Sequence, residues 1–109
     1  MLRIGPCVAP DEPIYIYNVR LSTDGRSFPI LDYQDPNQPY QRTGYNVRRS
    51  SSPAPAKSTW PIVATNVVDM DAATANLQWT DTSGAVSPSG IWYYEVTAYN
   101  ANCGAEGPF

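Results

Sequence analysis

The chain contains no histidine. That removes the commonest general base and the commonest metal ligand, so neither a Ser–His–Asp nor a Cys–His grouping can be assembled. Ser51 and Ser52 have no base near them in sequence, and Cys103 has no adjacent activating cation. The acids are scattered, whereas a paired-carboxylate mechanism needs two of them flanking a cleft. The chain therefore reads as not an enzyme. Charge is also sparse, at 16% of residues with a net value of −3. Arg48-Arg49 is the only adjacent basic pair, too little for a phosphate track, which excludes a nucleic-acid partner. No apolar run is long enough to cross a bilayer, so no direct membrane insertion is expected. Residues 1–6 lack the apolar core of a signal peptide. The expectation is a cytoplasmic chain as written, or a processed piece of an exported one. No window repeats apolar residues at helical spacing between caps, so no α-helix is expected.

What is present favours strands. The 109 residues fit one domain, and 42% hydrophobic residues describe a globular chain. Eleven Pro and seven Gly suit an all-β chain with frequent turns. Residues 90–100 are the clearest strand, filled by Tyr, Trp, Val and Thr, which fit a pleated, half-buried surface. Alternation puts Trp92, Tyr94, Val96 and Ala98 on an inward face and Tyr93, Glu95, Thr97 and Tyr99 on a wet outward one. Further strands are predicted at residues 14–19, 28–33, 44–49, 60–68 and 76–80, with Leu31, Tyr33, Tyr45 and Val47 facing inward. Asp24-Gly25 signals a hairpin turn between the first two. Residues 50–57 are a Pro/Ala/Ser loop, and residues 1–13 form an extended, Pro-punctuated arm.

Several of these segments resemble a known family. Tyr94-Glu95-Val96-Thr97-Ala98-Tyr99-Asn100 resembles the F strand of fibronectin type III domains, which in bacterial members often reads Tyr-x-Val-Thr-Ala-x-Asn. Thr43-Gly44-Tyr45-Asn46-Val47-Arg48-Arg49-Ser50 resembles the C strand. Val63-Ala64-Thr65-Asn66-Val67 and Trp79-Thr80-Asp81-Thr82 are similar to the C′ and E segments. The order and spacing of these matches cover residues 31–100; those before Leu21 match nothing in the family. The resemblance implies an all-β fold, a two-sheet antiparallel β-sandwich of fibronectin type III or immunoglobulin-like type over residues 14–109. The arm of residues 1–13 precedes it. It departs from the family at Tyr33, where a core Trp is usual, and at Trp92, where a corner tyrosine is expected.

The resemblance also bears on the two cysteines. The family's first and last strands approach each other, which implies a Cys7–Cys103 disulfide; the alternative is two unpaired thiols. Small extracellular domains commonly need such a staple, which favours an extracellular or cell-surface location. Because the family's C and F strands are neighbours, Arg48 and Glu95 are expected to pair across them as an exposed ion pair, contributing about 0.2–1 kcal/mol.

Asp69-Met70-Asp71 with Asp81 invites a Ca²⁺ site. The EF-hand pattern is absent, and so few acids leave most of calcium's roughly six to eight ligands unassigned. Loop carboxylates are the favoured reading, with no metal or cofactor expected. The outward aromatics are more informative. Tyr15, Tyr17, Tyr93 and Tyr99, with Ile4 and Val8 of the arm, make a candidate interaction surface, because clustered aromatics are enriched in interface cores. Ordinary cross-strand pairing is the alternative. The expected function is a non-catalytic extracellular structural module acting by protein–protein contact, a subunit of a larger exported assembly. One concrete version is the globular partner of a pilin-like subunit in a secreted filament such as a type IV pilus. A carbohydrate-binding accessory module is the other reading, with Tyr93, Tyr99 or Trp60 as sugar platforms.

Overall fold

Runs rich in Tyr, Val and Thr, punctuated by Pro and Gly, fold into short strands that all pair antiparallel. The computed structural model describes residues 7–68, 77–84 and 90–109. Among them are β1 (Tyr15–Leu21), β2 (Pro29–Gln34), β3 (Gly44–Ser50), β4 (Ile62–Val67), β5 (Leu77–Thr80), β6 (Tyr93–Asn100) and β7 (Ala105–Glu106). The only helical pieces described are single 3-10 turns at Pro39–Gln41 and Lys57–Thr59. One sheet is three-stranded in the order β1-β2-β5, and the other is four-stranded in the order β4-β3-β6-β7.

The two sheets bury one core between them. Leu31 and Tyr33 of β2, Trp79 of β5, Tyr45 and Val47 of β3, Val96 and Ala98 of β6, and Ile14 form a single buried cluster. Tyr33 meets Tyr45 edge to face, with ring centroids 5.1 Å apart, an arrangement aromatic pairs prefer. The Tyr45 hydroxyl donates to the Asp35 carboxylate at 2.7 Å. Burial first, and then this carboxylate, push the phenol well above its ordinary range.

The β1–β2 hairpin closes over the predicted Asp24-Gly25 turn. Gly25 has φ +87°, a conformation glycine adopts without steric cost. Ser22 N–H donates to the Phe28 carbonyl at 2.8 Å. At the start of β3, a Cβ on Gly44 would lie 2.8 Å from both the Asn66 carbonyl carbon and the Val67 carbonyl oxygen. Backbone cannot yield as a flexible side chain would. Gly44→Ala is therefore expected to destabilise by about 1–3 kcal/mol, the usual cost of overpacking. Urea unfolding at constant slope measures it, and an unchanged midpoint would contradict the close approach.

The outward face of β6 departs from the sequence expectation. Thr97 is fully buried and Glu95 only 8% exposed. The face is outward by alternation but not wet, because a second layer covers it. The connection after β3 folds back across the sheet, and the residues of β7 lie alongside. Arg48 does not pair with Glu95, although their Cα atoms are partners in the ladder. It grips Glu106 through two bonds of 2.6 and 3.1 Å and donates to the carbonyls of Ser58 and Trp60. The Phe109 ring lies against its guanidinium, 5.3 Å away. Glu95 instead takes Lys57, at 3.2 Å. The predicted exposed pair is thus replaced by a largely covered Arg48–Glu106 pair and a Lys57–Glu95 pair whose lysine side chain stays 51% exposed.

The chain before β1 runs along the sandwich as an extended strap. Cys7 and Cys103 are joined by a disulfide, with Cα atoms 5.7 Å apart. Side-chain amides hold the backbone behind it. Asn37 accepts from the N–H groups of Asp11 and Glu12 and donates to the Glu12 carbonyl, each at 3.0 Å. Gln41 donates to the Ala9 carbonyl and Asn100 to that of Val8. All three amide residues are buried.

Candidate contact surface

A β-bulge creates the most conspicuous surface feature. Tyr17 is an extra residue between Ile16, which sits opposite Tyr33, and Asn18, which sits opposite Asp32. A bulge shifts the alternation by one. Ile14 and Ile16 face the core, and after the bulge Val19 and Leu21 continue that inward face, while Asn18 and Arg20 turn outward to bond Asp32. At this end the sheets diverge. Val19 stays 55% and Leu21 49% exposed, at the mouth of a cleft of about 600 Å³.

The opposite wall comes from β6 and the β3–β4 connection. Trp92, Tyr93 and Tyr94 line it, with Trp60, Pro53 and the Lys57–Glu95 pair along one side. Trp60 is only 5% exposed and donates its indole N–H to the Pro55 carbonyl at 3.0 Å. Its ring leans on Tyr93, with centroids 6.3 Å apart at 52°. Trp92 lies under the Arg49 guanidinium, 5.5 Å from it. The lining is largely apolar, and its cation and anion already neutralise each other.

Asp81 holds the floor together. Its carboxylate takes the Arg49 guanidinium, the Tyr94 hydroxyl at 2.7 Å, and the N–H and hydroxyl of Ser83. Burial alone would raise its carboxyl pKa, but the hydrogen bonds from Ser83, Tyr94 and Arg49 outweigh that and lower it. The Tyr94 phenol is pushed up, first by burial and then by this carboxylate. Tyr94 makes the anchoring hydrogen bond, and Trp92, at the position expected for a corner tyrosine, lines the cleft instead. The acid singled out for calcium is thus occupied by protein donors; Asp69 and Asp71 lie outside the described residues.

Among the described residues, the predicted interaction residues do not form one patch. Tyr93 lines the cleft, whereas Tyr99 lies six residues further along β6, a span of about 20 Å in a strand. Tyr15 and Tyr17 are exposed on β1, 63% and 40%, with rings 6.4 Å apart. Val8 is exposed on the strap, and Ile4 lies outside the described residues. Sequence reasoning missed Val19, Leu21 and Trp92 as cleft residues. The signal was there: apolar positions 14, 16, 19 and 21 break a period of two by one residue, the spacing a bulge produces. A second, more polar hollow of about 510 Å³ lies beside Tyr15, with Gln34, Asp35 and Arg42 in its wall.

No described helix is long and apolar enough to cross a membrane. The chain matches no protein family, no curated protein and no solved structure.

Proposed function

We propose that the chain is a non-catalytic extracellular module that works by protein–protein contact through the cleft, as a subunit of a larger exported assembly. The observation that carries this is the apolar cleft itself, with Val19 and Leu21 both at least 49% exposed in its lining. Contiguous exposed apolar surface marks an interaction site more often than isolated residues do. The Cys7–Cys103 disulfide supports an oxidising location. A fibronectin type III-like identity is supported by the pairing of β3 with both β4 and β6, since those strands carry the C-, C′- and F-like segments. A secreted filament, with this chain as the globular partner of a pilin-like subunit, is the specific assembly we favour.

A carbohydrate-binding role is the second reading, favoured by the polar hollow beside exposed Tyr15. Trp60 and Tyr93 support it less, because one is buried and their rings are tilted out of a common plane. The test is the size of the native species isolated from its producing cells. The contact reading expects a complex larger than one chain, from which Leu21→Asp releases the monomer. A native monomer whose retention on insoluble glycan is lost on Tyr15→Ala would shift the assignment to carbohydrate.

A further inference from the structure

The open edge of the cleft is β1, and its backbone specifies what can cover it. In the order β1-β2-β5, β1 has a partner on one side only among the described residues. Ser22 N–H bonds the Phe28 carbonyl of the neighbouring strand. Antiparallel alternation then turns the backbone groups of Leu21 and Val19 the other way, to the open edge. These are the residues whose side chains stand in the cleft mouth. An extended strand is the chemistry that satisfies such an edge while its side chains roof the apolar gap.

We infer that this strand is β1 of a second copy, paired antiparallel about a two-fold axis between Tyr17 and Asn18. The inference rests on reading the cleft as a contact surface. In that register Ile14 faces Leu21 of the other copy and Ile16 faces Val19, all on the cleft side. On the other side Tyr15 faces Arg20 and Tyr17 faces Asn18. Every pair matches face with face. The bulge makes this possible, because in a strictly alternating strand a pair centred between two residues would set inward side chains against outward ones.

Charge agrees with the pairing. The chain carries a net −3, which opposes general self-association, yet β1 contains no acid and a single base, Arg20. Arg20 is already paired with Asp32 at 3.1 Å. The two copies of Arg20 would stand at opposite ends of the contact, each over a Tyr15 ring, where a guanidinium is attracted. The Lys57–Glu95 pair leaves the covered cleft without net charge.

Sedimentation velocity of the purified chain up to about 1 mM tests this, in the range where weak contacts saturate. The expected result is a concentration-dependent dimer. Val19→Lys, at a position exposed in the monomer, is expected to raise its dissociation constant at least about tenfold by placing a cation against the partner's Ile16. Val19→Pro should do the same by removing an amide that β2 does not use, with thermal melting as the check that each variant folds. Val68→Lys, exposed and away from β1, should leave the dimer unchanged. A chain that stays monomeric throughout overturns the inference, as does a dimer that survives both Val19 variants. A monomer whose Val19 and Leu21 amide resonances shift on adding a capped peptide of alternating Val and Thr also overturns it. That outcome would leave the contact reading standing with a foreign strand as partner.

Discussion

Replacing Cys7 and Cys103 together by Ser is expected to lower the unfolding free energy by about 4–5 kcal/mol without releasing the strap. The disulfide closes a loop with a sequence separation of 96. In the chain-entropy model, a cross-link of that span removes about 4–5 kcal/mol of denatured-state freedom. A domain of this size holds only about 5–15 kcal/mol in total, so the change approaches the whole margin. The strap should nonetheless stay docked in the folded fraction. Asn37, Gln41 and Asn100 bond its backbone at Val8, Ala9, Asp11 and Glu12 independently of the sulfurs. Each such bond contributes about 0.5–1.5 kcal/mol net, and the buried amides would cost more if left unpaired. Urea unfolding measures the first effect, and hydrogen exchange at the Asp11 and Glu12 amides the second. A loss below about 1 kcal/mol would contradict the entropic account. Immediate exchange at both amides would show that the disulfide alone holds the strap.

The strap and the sandwich behind it differ in how far the residues announce them. Leu31, Tyr33, Tyr45, Val47, Val96 and Ala98 are legible as core because each lies on the apolar face of an alternating run. Trp92 shares that alternation but lies just before β6 begins and lines the cleft instead of joining the buried cluster. The buried outer face of β6 is not legible. Its cover depends on Arg48 reaching the carbonyls of Ser58 and Trp60, contacts that no local periodicity encodes. The adjacent pair Arg48-Arg49 shows the same limit. As a sequence it is one basic dipeptide; in the fold, strand alternation sends its members to opposite faces. Arg48 fastens Glu106 over the outer layer, and Arg49 fastens Asp81 at the cleft. The two-residue β7 is too short to carry a pattern. The amide clamp was silent for a different reason, since Asn and Gln are ordinary loop residues until a backbone lies against them.

Asp81→Ala is expected to cost about 3–5 kcal/mol, the usual effect of removing one partner from a buried ion pair. The Asp81 side chain is 2% and that of Arg49 13% exposed, so water cannot replace the lost carboxylate well. The Tyr94 hydroxyl and the Ser83 donors lose their acceptor together. Melting should fall by roughly 10–20 °C, at the few degrees per kcal/mol expected for a domain of this length. Asp81→Asn, which keeps an acceptor for Tyr94, should cost less. The same carboxylate gives the fold an acid limit, and Glu106 adds to it. Burial alone would raise the Glu106 pKa; bonds from Arg48 and Thr97 overcome that and lower it. Both groups therefore titrate in the folded chain below their ordinary values of 3.8 and 4.5. On acidification protons bind the unfolded chain first, so this stability is complete above those values and is lost as the pH falls through the lower, folded-state ones. Urea midpoints should be flat from neutrality down to about pH 5 and then decline. In Asp81→Asn the decline should be shallower, because one of the two linked groups no longer titrates. If the variant instead keeps the full acid slope, Asp81 is not the group that sets it.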